Sequence, residues 1–401
     1  LPQDRTPIRI LIIPHQPHRN IKVRSLELAR HLAAQPQYEV YVLTWRISNH
    51  KSSNLLAKIA FKAQEALETA TMSPQIHEEA SIRWVEFPYL LAPYPGCKEF
   101  NQQRLEEFVQ KHYIQAVISA NAYHFPMPTQ KALLRIYDVV DDHISPDSSP
   151  HWRRTRAFTL GELQKSEHIL SVSHALQAEL AALGYAASTL LPNGVDWAAF
   201  QQQNSPAVRA IRERYGLMNR FTVGYIGNHG SWAGLDLLLA AFEQLQAQVP
   251  ESRLLIVGPG EDLPRHQRKT PAQPGVIFTG PVPPQDIAAY FQAINLGVLT
   301  STPSPFRDKA MPLKILEYGA ARKCAFATPL QELVTLQFPH VRLLKPDAEV
   351  WGEALIQEAL NPTPWNPNWD EAIAPYDWAR LWRPIDQILM SHFGDADAPA
   401  V

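Results

Sequence analysis

Apolar positions along this chain follow two alternating patterns. Short continuous runs, such as IRILIIP at 8–14 and SRLLIVGPG at 252–260, end in proline or glycine. Such runs are the signature of strands buried on both faces. Between them lie longer segments with apolar residues three and four apart, as in KVRSLELARHLAAQ at 22–35. That spacing predicts amphipathic helices. The first half reads as strands at 8–14, 38–45, 82–88, 115–121, 132–142 and 168–173. Helices are expected at 22–35, 53–70, 100–113 and 174–184, with another between the last two strands. After residue 200 the alternation restarts, with strands at 220–227, 252–260, 276–282, 296–301 and 323–328. Its helices fall at 234–248, 284–294, 310–323, 349–360 and 376–393.

Strands alternating with helices imply parallel sheets covered on both faces. The expected fold class is therefore α/β, with two Rossmann-like, doubly wound parallel-sheet domains facing a cleft. The break falls near 201–218, giving an N-terminal domain over 1–200 and a C-terminal domain over 201–375. The helix at 376–393 is expected to pack back on the first domain. Ligands of such sheets sit at the carboxyl ends of strands, in loops that lead into helices.

Composition narrows the classes. A net charge of −2 and a pI near 6.8 argue against a general nucleic-acid binder. No run approaches the roughly 20 apolar residues of a membrane span. The opening stretch LPQDRTPIRILIIP is too short in apolar residues for a secretory signal. Cys97 and Cys324 lie far apart and neither has a Cys or His at metal-ligand spacing. The expectation is a cytoplasmic protein with free thiols.

Several segments carry charge where ligands should bind. YDVVDDHI at 137–144 crowds three aspartates and a histidine at the end of an apolar strand. Crowded carboxylates raise one another's pKa, which suits a base that takes a proton from a hydroxyl. The first loop holds His15, His18, Arg19, Lys22 and Arg24, and its basic character fits an acceptor bearing a phosphate or an anionic head group. HWRRTR at 151–156 combines Trp152 with three arginines, the composition of a peripheral contact on the inner face of the plasma membrane. A solvated helix face explains it equally well. His15 and His18 have no third ligand at convincing spacing, so no metal site is predicted.

The second half resembles the GT-B glycosyltransferases, above all glycosyltransferase family 4. Five pieces carry the resemblance in the family's order: LPNGVDWAAF (191–200), YIGNHGSWAGLDLLLAAF (225–242), LLIVGPGE (254–261) with FTGPVPPQDIAAYFQAINLGVLTS (278–301), MPLKILEYGAARKCAFAT (311–328) and YDWARLW (376–382). The first half matches only as a pattern. The resemblance implies that a nucleotide-sugar binds at the helix beginning Met311, Pro312, Leu313, Lys314. Free N–H groups and a partial positive charge at that helix start suit a diphosphate. Lys314 adds a full charge, and Glu317, one turn on, is placed to accept ribose hydroxyls. Gly227, Asn228, His229 and Gly230 form the loop that approaches the phosphates. Val282 lies where the family reads the base through main-chain contacts.

Departures from the family matter. Its usual first glutamate is Lys309 here, and two usual phosphate-binding cations fall on Asn228 and Ala233. Arg307, Lys309 and Lys314 could replace them, and a lysine at 309 also suits an acidic sugar such as a uronic acid. The PLKILEY pattern resembles that of teichuronic-acid and xanthan-type glucuronosyltransferases. In such relatives a loop aspartate acts as base, a position matched by Asp141 or Asp142. His124, in ANAYHFP, is a second catalytic candidate. A base aspartate argues for inversion and the wider family for retention.

The expected function is a metal-independent glycosyltransferase with a nucleotide-diphospho donor, a UDP-sugar by preference, and a lipid-linked or polysaccharide acceptor. The nucleotide-sugar is a substrate, and no cofactor is expected. Two rivals share the sequence features: a UDP-sugar 2-epimerase on the same fold, and a non-catalytic sugar-binding partner subunit.

Overall fold

In the computed structural model the described residues are 6–16, 23–45, 69, 72–89, 96–146, 149–201, 205–269 and 273–394. They form two compact units: Leu1–Leu191 with Trp382–Val401, and Pro192–Leu381. The expected helix at 53–70 lies outside the described residues, apart from Thr69, as do His18, Arg19 and Lys22.

Unit 1 runs β1 (Ile8–Ile13), α1 (Arg24–Ala33), β2 (Tyr38–Thr44), β3 (Gln75–Glu79), β4 (Ile82–Glu86), α2 (Cys97–Lys111), β5 (Ala116–Ser119), β6 (Leu134–Val139), α3 (Pro150–Lys165), β7 (His168–Ser171), α4 (His174–Ala182) and β8 (Thr189–Leu190). The eight strands lie in the order β3-β4-β2-β1-β5-β6-β7-β8. Only the β3–β4 pair is antiparallel. Strand β3 escapes the sequence reading because QIHEE is exposed throughout and has no apolar face to announce it. β1 is central, and Ile10 to Ile13 are each at most 1% exposed, as expected of a strand covered on both faces.

Unit 2 runs α5 (Pro206–Arg214), β9 (Thr222–Ile226), α6 (Leu235–Gln248), β10 (Arg253–Val257), α7 (Leu263–Lys269), β11 (Val276–Gly280), α8 (Ile287–Ala293), β12 (Leu296–Leu299), α9 (Pro305–Asp308), α10 (Leu313–Ala320), β13 (Cys324–Ala327), α11 (Gln331–Leu336), β14 (Val341–Leu343), α12 (Ala348–Leu360), α13 (Asp370–Ile373) and α14 (Trp378–Leu381). Its six strands are all parallel, in the order β11-β10-β9-β12-β13-β14. α6 and α12 pack together over one face, with Phe242, Leu245, Trp351 and Leu355 fully buried. Burying each such side chain contributes about 1.5–3 kcal/mol. Under α10, the Tyr318 hydroxyl donates to Gly224 O at 2.9 Å or Val298 O at 3.1 Å. It thus reaches both β9 and β12, and its ring fills the space beside Gly297 that a Cβ would need.

Two boundaries differ from the sequence reading. Residues 192–200 group with unit 2, not with the N-terminal domain. Their polar groups are held there: Asn193 Nδ2 donates to Met311 O at 2.7 Å, and Gln292 Nε2 donates to Phe200 O at 2.6 Å. The single helix expected at 376–393 is divided. Trp378–Leu381 belongs to unit 2, where Val195 pairs with Asp377. The following helix, α15 (Arg383–Phe393), belongs to unit 1, where the Tyr38 hydroxyl donates to Asp386 Oδ1 at 2.6 Å. The expected linker at 201–218 contains α5, an amphipathic helix capped by Ser205, whose Oγ accepts from Val208 N. Ser-Pro at its start is a helix-entry signal.

The chain order reverses between β1 and β5 in one sheet and between β9 and β12 in the other. Loops leaving these paired strands diverge and open a crevice at their carboxyl ends. Gly227 to Gly230 and Arg307 to Glu317 follow β9 and β12, and His15 and His124 follow β1 and β5.

Candidate functional site

In unit 2 the β9 and β12 loops bring together an aromatic and cationic group. Gly227 leaves β9 with φ of 132°, and a Cβ there would lie 2.5 Å from Lys314 Cε and 2.8 Å from Nζ. The absent side chain is therefore the slot for the lysine. Lys314 Nζ stands 5.2 Å from the Tyr225 ring centre and 5.7 Å from that of Trp232. Arg307 lays its guanidinium 4.2 Å from the same Trp232 ring. Burial pushes the Lys314 pKa down to about 8; the Glu317 charge opposes this and Arg307 reinforces it. Pro312 precedes α10 without a side-chain capping bond, so the helix presents its N-terminal N–H groups without a competing cap. Glu317 is half-buried one turn on. Arg307 lies on α9, Lys309 ends it, and both are partly exposed.

The remaining donor candidates divide. Asn228 is exposed and its carbonyl accepts from the Tyr225 hydroxyl at 3.0 Å. Val282 is partly exposed, two residues beyond β11. His229 is a correction: its side chain is fully buried and its Nε2 meets Gly258 O at 3.1 Å. It holds the 258–260 loop against the β9 loop, and a Cβ on Gly260 would strike its ring. Burial lowers its pKa. The Met311 side chain is buried and its carbonyl accepts from Asn193 Nδ2. Gly230 and Ser231 also line a cavity of about 320 Å³ with Asp236, Asp262, Arg265 and Thr302.

In unit 1 the loops after β1, β5 and β6 form a wall of imidazole and aromatic rings. His15 stacks on His143 at 5.6 Å, and His143 stacks on Trp152 at 5.6 Å. The Tyr123 hydroxyl meets His143 Nε2 at 2.9 Å, and its ring stacks on His151 at 5.8 Å. His124 contacts the Tyr89 hydroxyl through Nδ1 and packs against Trp45. Burial, with help from His15, holds the His124 and His143 pKa values down to about 4, so both rings are neutral at pH 7. Burial first, then the Asp141 charge, raises Tyr123 to about 12. The sequence pointed to His124 and the aspartates but not to Tyr123, His143 and His151 as one surface. The loop after β5, the loop after β6 and the first turn of α3 contribute them, and no local spacing links these segments.

The three aspartates at the end of β6 have distinct surroundings. Asp138 is buried, and its two carboxylate oxygens accept from Arg24 Nε and Nη2, each at 2.8 Å. Arg24 is thereby corrected from an acceptor-binding residue to half of a buried ion pair, because a desolvated guanidinium requires a carboxylate partner. Asp142 is 7% exposed and its Oδ1 accepts from Ser145 N at 3.0 Å, tying down the loop. Asp141 has a side chain 35% exposed, with Oδ2 4.0 Å from His15 Nε2. In the 151–156 segment Arg153 and Arg154 are exposed, while Arg156 donates to Ile144 O at 2.7 Å. Among the described residues no three His, Cys, Asp or Glu side chains are grouped to hold a metal, and no helix is long and apolar enough to cross a membrane.

The family described as "Glycosyl transferases group 1" matches residues 220–358, the stretch containing the Trp232, Arg307, Lys314 and Glu317 group. A teichuronic acid biosynthesis glycosyltransferase of Bacillus subtilis, TuaC, is 30% identical over 218 residues, 54% of this chain and 48% of that protein. The chain thus spans about half the length, or less, of such curated relatives. Sucrose-phosphate synthase of Thermosynechococcus elongatus superposes with a TM-score of 0.70 at 17% identity, over 97% of this chain and all of that one. HepE of Anabaena, in complex with UDP and glucose, gives 0.66 at 17% identity, over 95% and 99%. The chain therefore has the two-domain GT-B fold, and its residues 220–358 match the group 1 glycosyl transferase family.

Proposed function

We propose that the chain transfers a glycosyl group from a nucleotide-diphospho sugar, preferably a UDP-sugar, to a hydroxyl of a lipid-linked or polysaccharide acceptor. The observation that carries this reading is the convergence of Arg307, Lys314 and the uncapped start of α10 at the strand-order reversal of unit 2. Two cations and a helix N-terminus there suit a diphosphate, and Glu317 suits the ribose hydroxyls. As the glycosidic bond breaks, negative charge grows on the departing diphosphate and these groups stabilise it. In unit 1, Asp141 is the acceptor-facing carboxylate: it takes the proton of the attacking hydroxyl, with His15 beside it. Asp142, committed to Ser145 N, holds the loop. Lys309 favours a donor with an acidic sugar. UDP in the HepE complex and the teichuronic-acid name of TuaC agree with these choices.

Thermal denaturation with UDP, GDP, UDP-glucose and UDP-glucuronate tests the reading, since a ligand of the folded state raises the melting temperature by mass action. Stabilisation by UDP and most strongly by UDP-glucuronate is expected. No shift with any nucleotide would remove the donor site and leave a binding subunit as the better description.

A further inference from the structure

We propose that Trp232 is the positioning residue of the diphosphate site, its indole seating Arg307 and Lys314 side by side where the phosphates bind. This rests on the nucleotide-sugar reading and extends it. Between Arg220 and Arg253 the chain contains no lysine or arginine, so the β9 loop brings no fixed positive charge of its own. The two cations that rest on Trp232 come from the β12 side, on long side chains that lose much rotamer freedom when ordered. Two cations held close also repel each other. The negative face of an indole offsets both penalties, by attracting each charge and by defining where it rests.

The geometry is specific. Trp232 presents its ring at 4.2 Å to Arg307 and at 5.7 Å to Lys314 Nζ, and Tyr225 adds a second ring 5.2 Å from the ammonium. Trp232 is itself fixed. Its carbonyl accepts from Thr302 N at 2.9 Å, which ties the β9 loop to the β12 loop. Its indole occupies the space over Gly230, where a Cβ would fall 2.8 Å from Nε1. It also packs on the core beneath α6. Trp232 thus acts through the two cations and not by touching the reacting atoms. It orders the cations before the donor arrives, so less is lost on binding.

The test is calorimetric titration of the full chain with uridine, UMP and UDP, comparing wild type, Trp232→Ala and Trp232→Phe, with melting curves to confirm folding. Wild type should gain affinity with each phosphate. Trp232→Ala should lose about tenfold for UDP while uridine binding stays within about twofold, and Trp232→Phe should recover most of the loss. An unchanged UDP affinity in Trp232→Ala, or an equal loss for uridine and UDP, would overturn the proposal and leave the donor reading standing. If wild type binds none of the three, both fall. Should Trp232→Ala not fold, Trp232→Leu read against Trp232→Phe makes the same comparison, because leucine keeps the packing and removes the ring face.

Discussion

The ammonium group of Lys314 occupies the space that any side chain at Gly227 would claim, with 2.8 Å between Nζ and the missing Cβ. Gly227→Ala therefore acts twice. It strains a backbone at φ of 132° and evicts the lysine from between Tyr225 and Trp232. Nucleotide binding should weaken by at least about tenfold, with a stability loss of about 1–3 kcal/mol. Titration with UDP and urea unfolding of the same variant measure the two effects separately.

Asp141 and Asp142 are neighbours with different tasks. Asp141→Asn keeps the size and removes the proton acceptor, so turnover should fall by about 10²–10⁴-fold with UDP affinity unchanged. Asp142→Ala leaves Ser145 N without its partner and should lower stability by about 1–3 kcal/mol. Turnover of a nucleotide-sugar panel, beside melting curves, sorts the two. Loss of turnover in Asp142→Ala with full activity in Asp141→Asn would reverse the assignment.

The Arg24–Asp138 pair predicts a stability effect without a binding one. Arg24→Ala strands a carboxylate that is only 2% exposed, a defect of about 3–5 kcal/mol. Replacing both residues by well-packed apolar ones should cost far less than removing one. Denaturant midpoints of the single and double variants check this, and UDP binding should be the same in all folded forms.

Stability should also depend on pH in a defined window. His124, His143 and His340 are held down to about 4 in the folded protein, chiefly by burial. Their unfolded value is about 6.5, so between those limits the unfolded chain binds more protons and stability falls as pH falls. Each contributes up to about 2 kcal/mol of loss between pH 6.5 and pH 5, and none above 6.5. Urea unfolding at a series of pH values tests the slope. In His143→Phe it should be shallower by about one proton.

Much of this was legible in the sequence, for reasons that differ by element. β1 and β9 announce themselves because burial on both faces demands continuous apolar runs. The start of α10 stands out because two charges interrupt such a run. β3 was not legible, since an exposed edge strand carries no pattern. Arg24 was misread as a ligand-facing cation because its partner, Asp138, lies 114 residues away. His229 read as a phosphate-loop residue by position, yet its ring is spent on Gly258 O. Sequence places a residue in a loop; only the fold tells which way it turns.

Tyr318 sets a division of labour within unit 2. Its hydroxyl reaches carbonyls of both β9 and β12 from beneath α10, so the helix is keyed to the two strands whose parting makes the crevice. One turn of rotation or slide would break that bond and unseat a ring that has no other room. Lys314 and Glu317, on the same helix, are accordingly held at one spacing, which the proposed reading assigns to phosphate and ribose. Arg307 and Lys309, on the segment between β12 and α10, are not tied to Tyr318 in this way. On the proposed reading, the nucleotide end of a donor would meet a gauge set by two strands and not by that segment.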